Sequence, residues 1–160
     1  MIRAQSVEEI ARMEPVQVSP TSSCGQAAQA LERSGQGFIP ISVNSRPQGI
    51  VTSWDLAHAI AQGIDPYNNP VKAIMQSKVA TISVRASLEE AARIMEEQQT
   101  RSLCVCDEEG TLIGTLTLNQ LSQAAPESAG RVLKATAYET IPAQFQPMAS
   151  YARGSGRQAA

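Results

Sequence analysis

Aromatic side chains are scarce: Phe, Trp and Tyr make up 4% of 160 residues. Phe38, Trp54, Tyr67, Tyr138, Phe145 and Tyr151 are the whole set, so Ala, Ile, Val and Leu must build the core. A surplus of positive charge is also lacking, with 13 Lys+Arg against 15 Asp+Glu and a net charge of −2. That removes the basic patch on which nucleic-acid affinity rests. No apolar run approaches the ~20 residues that cross a bilayer, so a membrane partner is not expected. The opening MIRAQSVEEIARMEP is charged and amphipathic rather than a secretory signal, which makes a cytoplasmic location the expectation. Three cysteines, Cys24, Cys104 and Cys106, are a poor disulfide framework. With His58 the single histidine, a four-ligand metal site is not expected either, and the thiols read as small core residues. Neither a paired nucleophile and base nor a phosphate-cradling glycine loop is present, which argues against an enzyme.

What the chain does contain is a repeat. SPTSSCGQAAQALERSGQGFIPISV aligns with SVRASLEEAARIMEEQQTRSLCVCD at an offset of 64, pairing Ser23 with Ser87, Ala27 with Ala91, Ala28 with Ala92 and Ile39 with Leu103. After a hairpin one residue longer in the second copy, the offset becomes 65 and pairs Gly49 with Gly114, Thr52 with Thr117 and Leu56 with Leu121.

Each copy opens with a short apolar strand, Pro15–Val18 or Val79–Val84. A helix start follows, with Ser23 three residues before Gln26 and Ser87 three before Glu90, the pattern of a capping box. Leu88, Ala91, Ala92 and Met95 then recur at helical spacing, giving an apolar face toward a sheet. The runs FIPISV and SLCVCD turn through NSRPQG or EEG into GIVT or LIGTLT, and a short helix closes each copy, the first with Gly63 at its C-terminus. The order is β-α-β-β-α, twice, in an α/β (α+β) fold. The first repeat covers residues 1–64 and the second 65–125, with VKAIMQ before the second mirroring VEEIARME before the first. Residues 126–160 form a C-terminal extension with four basic and two acidic residues. It reads as partly disordered or partner-binding, and Val132–Pro142 alternates well enough for one strand.

The paired segments VSPTSSCGQAAQALERSG, FIPISV and QGIVTSWDL in copy one, with ISVRASLEEAARIMEEQQ and RSLCVCDEEGTLIGTL in copy two, resemble a tandem pair of CBS (cystathionine-β-synthase) domains, a Bateman module. The resemblance covers residues 1 to about 125 and implies two repeats packed with pseudo-twofold symmetry, two clefts for adenosine-containing ligands, and assembly as a homodimer. GIVTSWD, Gly49–Asp55, matches the family's nucleotide signature. Thr52 would stand where free helix amides favour a phosphate, and Asp55 one turn on could accept bonds from both ribose hydroxyls. The other reading has Thr52 capping the helix and Asp55 as a favourable first-turn charge.

Carried over by position, Ile50, Thr52 and Asp55 face Val79, Ala80 and Thr81 together with Thr100, Arg101 and Ser102, with Arg101 suited to phosphate oxygens and Lys72 and Lys78 adding weaker positive charge. The second cleft departs from the pattern. Its signature reads GTLTLNQ, so Gln120 replaces the ribose-binding carboxylate; beside it stand Val16, Gly37, Phe38 and Thr117, with no arginine matching Arg101. One competent and one weakened cleft are expected. The implied function is a regulatory sensor of AMP, ADP, ATP or S-adenosylmethionine, with no obligatory cofactor and with a regulated protein partner. The alternative is a ligand-free dimerisation scaffold acting through its tail.

Overall fold

In a computed structural model that describes residues 4–137, the chain runs α1 (Val7–Ile10), β1 (Arg12–Met13), α2 (Cys24–Ser34), β2 (Phe38–Val43), β3 (Arg46–Thr52), α3 (Ser53–Ala61), a 3-10 turn (Val71–Ala73), β4 (Thr81–Ser83), α4 (Leu88–Glu97), β5 (Ser102–Cys106), β6 (Leu112–Thr117), α5 (Leu118–Ala124) and α6 (Pro126–Thr136). Ser23 and Gln26 form the reciprocal capping box at the start of α2. Ser87 caps α4 with its hydroxyl, accepting from the Glu90 amide at 3.1 Å, whereas the Glu90 carboxylate lies toward Arg93 at 3.8 Å. The first strand of copy one, expected over Pro15–Val18, is a single parallel bridge between Val18 and Ile41. Its counterpart in copy two is the full parallel pairing of β4 with β5, where Ile82 faces Val105 at the same offset of 64.

Both sheets share one plan, but each is completed by chain from beyond its own repeat. In the second sheet the order is β1-β6-β5-β4, so its outer strand, Arg12–Met13, comes from the segment before copy one. In the first, β2 and β3 pair, and Ile50 of β3 bridges Gln76 from the segment before copy two. The backbone bonds of this exchange recur at the same offset. Val7 N–H donates to Ala86 O at 2.9 Å, as Val71 does to Ser22 O at 2.7 Å, and Glu8 donates to Val84 O as Lys72 does to Pro20 O. Val7 and Val71 are both fully buried, each in the core of the repeat it visits.

The exchange explains the paired glycines. A Cβ on Gly49 would lie 2.7 Å from the Gln76 carbonyl oxygen, and one on Gly114 would lie 2.9 Å from that of Arg12. No side chain fits between a strand and a crossing backbone at those separations.

Two aliphatic cores result, one per repeat, and a third cluster joins them: Phe38 and Ile50 from the first repeat pack with Cys104 and Leu112 from the second. Cys104 is 1% exposed, and burial pushes its thiol up to about 12. The tips of the two hairpins also meet, with Leu112 N–H donating to Ser45 O at 2.7 Å and Arg46 to Glu109 O at 2.9 Å.

The C-terminal extension is corrected over its first part. Residues Pro126–Thr136 form helix α6, not a loop leading into a strand from Val132. Proline at its start is compatible with a helix N-terminus, and Ala129, Val132 and Thr136 follow at helical spacing, all buried against the second repeat. Arg131 ties the outer face to Glu89 and to Glu96, the latter at 3.1 Å, and Ser128 donates to Glu89 at 2.8 Å. The remainder of the proposed strand, 138–142, and the expected disorder of the tail lie outside the described residues. No helix among the described residues is long and apolar enough to cross a membrane.

Candidate functional site

A cavity of about 740 Å³ opens between the repeats, where the starts of α3 and α5 converge. That volume falls within the ~300–1,000 Å³ of small-molecule sites. Of the residues expected in the first cleft, Ile50, Thr52, Asp55, Thr100, Arg101 and Ser102 line it. Gly37, Phe38 and Thr117, expected in the second cleft, line the same cavity, so the structure brings parts of both sets around one space.

Five expected residues lie elsewhere. Val79 packs against the inter-repeat cluster, and Ala80 is buried in the second core. Thr81 borders a separate groove with Arg46 and Asp107, because β4 is the outer strand of its sheet and exposes alternate residues away from the cavity. Val16 packs on the first core. Gln120 turns its amide inward, as described below. Lys72 and Lys78 are not among the lining residues.

The Thr52–Asp55 pair is locally self-satisfied. Thr52 ends β3 and caps α3: its hydroxyl accepts from the Asp55 amide at 3.2 Å, while Asp55 Oδ2 accepts from the Thr52 amide at 2.8 Å and the Thr52 hydroxyl at 2.9 Å. Capping is therefore realised, and it holds the carboxylate at the cavity wall. Gln76 Nε2 donates to Asp55 Oδ2 at 3.0 Å and to Oδ1 at 3.2 Å. Gln76 belongs to the crossing segment, so the exchange between repeats also delivers a side chain to the site.

The equivalent position in the second repeat is more heavily committed. Gln120 Oε1 accepts from the Thr117 amide at 2.9 Å, the Thr117 hydroxyl at 3.1 Å and Gln36 Nε2 at 3.2 Å, and Gln120 Nε2 donates to Ile10 O at 2.9 Å. Thr115 closes the network by donating to Gln36 Oε1 at 2.7 Å. An aspartate could accept from Thr117 but could not donate to Ile10; the glutamine does both.

Arg101 approaches the cavity from the segment before β5. Its Nε donates to Thr136 Oγ1 at 2.9 Å and its Nη2 to Thr136 O at 3.3 Å. The sequence reading did not foresee Trp54, Gln76, Gln99, Leu133 or Thr136 in the lining. Gln76 had one available signal, its alignment with Arg12 at the offset of 64. Asp55 and Arg101 are the only formal charges among the described lining residues, one of each sign.

Comparison with known proteins decides the family: its profile, the CBS domain, matches residues 7–62 and again 71–127. The chain belongs to the CBS domain family. Its two CBS domains are 30% identical over 139 residues to the CBS domain-containing protein YhcV of Bacillus subtilis, covering 85% of this chain and 98% of that one. Among solved structures, the CBS domain pair of MJ0100, in complex with 5'-methylthioadenosine and S-adenosyl-L-methionine, is 25% identical with a TM-score of 0.67, covering 74% of this chain and 93% of that one. CBSX2 in complex with AMP, a CBS-pair protein of Arabidopsis thaliana, is 25% identical with a TM-score of 0.64, covering 76% and 96%. The CBS chain spans 65% of an uncharacterized Methanopyrus kandleri relative and only 23% of the homoserine O-acetyltransferase of Methanocorpusculum labreanum. What it shares with such enzymes is thus a fraction of their length.

Proposed function

We propose that this CBS pair is a regulatory module that binds an adenosine-containing ligand of low charge, such as AMP, in the cavity between its repeats. The observation that carries the reading is the convergence of Thr52 and Asp55 from one repeat with Thr100, Arg101 and Ser102 from the other around a single cavity. Asp55 is placed to accept bonds from a ribose diol in exchange for the Gln76 amide. The opening of α3 and the Arg101 guanidinium suit an anionic group. One lining cation matches a monophosphate better than a triphosphate, whose further charges would face a neutral wall. The AMP bound by CBSX2 and the S-adenosylmethionine and methylthioadenosine bound by the MJ0100 pair support the same ligand class.

The proposal includes one competent subsite, at Asp55, because the Gln120 amide is consumed by Ile10, Gln36 and Thr117. It also includes a homodimer, for which exposed Trp54 and Ile60 on α3 offer apolar surface, and a regulated protein partner.

Titration calorimetry with AMP, ATP and S-adenosylmethionine tests the reading. AMP should bind more tightly than ATP, with about one molecule per chain. Asp55→Ala should weaken AMP binding by about 1.5 to 3 kcal/mol, the worth of hydrogen bonds to a charged group. Absence of binding by all three ligands at millimolar concentration would sink the proposal and favour a ligand-free scaffold.

A further inference from the structure

Asp55 carries more hydrogen bonds than its part in the helix cap requires. A carboxylate offers about four acceptor places, shared between its oxygens. On Oδ2 the Thr52 amide at 2.8 Å and the Thr52 hydroxyl at 2.9 Å complete the cap. The places on Oδ1 are the ones a ligand can use without unmaking that cap. Gln76 Nε2 stands across them, 3.2 Å from Oδ1 and 3.0 Å from Oδ2, and it is the single donor to Oδ1 among the described residues. One place on Oδ1 is thus held by Gln76, and one is open to solvent or to a ligand hydroxyl.

The main chain fixes Gln76 in this position. Its amide donates to Ile50 O at 2.8 Å and its carbonyl accepts from the Ile50 amide at 3.0 Å, close against Gly49, where no side chain intervenes. The strap therefore stays in place, and the Gln76 side chain, exposed at the cavity wall, can leave Asp55 by rotation alone. The strap of the second repeat sends no such arm. Arg12, the counterpart at the offset of 64, donates to Ser34 O instead and is not among the described lining residues.

We propose that Gln76 is a specificity-determining residue of the cavity, an internal occupant of the place that the second hydroxyl of a ribose diol takes on Asp55. The proposal rests on the reading of the cavity as an adenosine-ligand site and names the feature of the sugar to which that site responds. A single hydroxyl takes the open place on Oδ1 with Gln76 still bonded. A vicinal diol needs both places and displaces the amide, which passes to water. A ligand with the diol thus binds only the arrangement in which Gln76 has swung away, and its apparent affinity is lowered by the fraction of molecules in that arrangement. A deoxyribose ligand meets no such penalty. Gln76 therefore narrows the preference for ribonucleotide over deoxyribonucleotide, and its removal widens that preference.

Calorimetry on the unaltered chain and on Gln76→Met tests this, with AMP and deoxy-AMP as probes; methionine keeps the length of the side chain and removes the donor. AMP should bind the variant about three- to tenfold more tightly, less than the full worth of a charged hydrogen bond because the exposed Gln76 amide is rehydrated on release. Deoxy-AMP should bind the two proteins equally. Weaker AMP binding by Gln76→Met would make Gln76 a ligand contact and overturn the proposal; unchanged AMP affinity, or equal tightening toward both nucleotides, overturns it as well. A second measurement needs no variant, so a misfolded Gln76→Met does not spare the proposal. In heteronuclear NMR of the unaltered chain, the Gln76 side-chain amide should exchange with water about threefold or more faster under saturating AMP than under saturating deoxy-AMP, because only the diol shifts this local equilibrium. Equal or slower exchange overturns the displacement. AMP that binds without these differences leaves the site reading standing, whereas AMP that binds neither protein sinks both.

Discussion

Helix α6 can be tested as a structural element by a single substitution at Val132. Its side chain is fully buried between α4 and α5, and Val132→Ala removes two methyl groups from a packed site. Each buried methyl costs about 0.5 to 1.5 kcal/mol when deleted, so the change should destabilise the protein by about 1 to 3 kcal/mol. For a chain of this size each kcal/mol moves the melting temperature by about 2 to 4 °C, so a drop of roughly 3 to 10 °C is expected. The neighbouring Leu133→Ala is the matched control, since Leu133 is 46% exposed and should lose far less. Thermal unfolding is followed by far-ultraviolet circular dichroism and, in parallel, by the fluorescence of Trp54. That tryptophan lies in the first repeat, distant in sequence from α6, so coincident shifts show that the exchange makes the two repeats unfold together. Equal melting temperatures for Val132→Ala and Leu133→Ala would refute the docking of α6 against the second repeat.

Three further expectations follow from the geometry. Gly49→Ala and Gly114→Ala should each cost about 1 to 3 kcal/mol by overpacking against a crossing backbone, measured by urea denaturation; two neutral results would show that the segments do not cross there. Gln120→Ala should leave AMP affinity unchanged but lower stability by about 1 to 3 kcal/mol, because the Ile10 carbonyl and the Gln36 amide lose a partner, and calorimetry beside thermal melts separates the two effects. The Ser128 hydroxyl, with Arg131 beside it, holds the Glu89 carboxyl below its ordinary value. A depressed folded pKa gives stability that is present above the unfolded value of about 4.5 and lost as pH falls through the folded one. Glu89→Gln should therefore flatten the acid limb of the stability profile; an unchanged limb would remove Glu89 from the α6 attachment.

The repeat and most of its elements were readable because they depend on short-range patterns. Ser23 with Gln26 marks a helix start, and Leu88, Ala91, Ala92 and Met95 mark its buried face, whichever partner that face meets. The destination of VEEI and VKAI was not readable in the same way. Their likeness to each other is visible, but sequence similarity carries no statement of which sheet each joins. Within Val132–Pro142 alternation suggested a strand, while Ala129, Val132 and Thr136 kept helical spacing, and over the described part, Val132–Thr136, packing against the second core goes with the helix. The signature Thr52–Asp55 was found by its spacing. Gln76, which donates to Asp55, lies 21 residues away and reaches it only through the exchange.

That exchange makes each half of the chain the missing part of the other. A fragment ending near Gly63 retains α1 and β1, which have no sheet to join, and lacks the Val71 and Gln76 strap that completes its own. The complementary fragment has the converse surplus and the converse deficit. Neither half is an autonomous folding unit in the sense its sequence boundary suggests, yet mixed together they hold every strand and strap needed for one complete pair. The joint around Asp65–Pro70 thus acts as a tether that raises the effective concentration of each strap for its sheet. Two chains with that tether shortened would carry the same complementary ends, now free to close on one another.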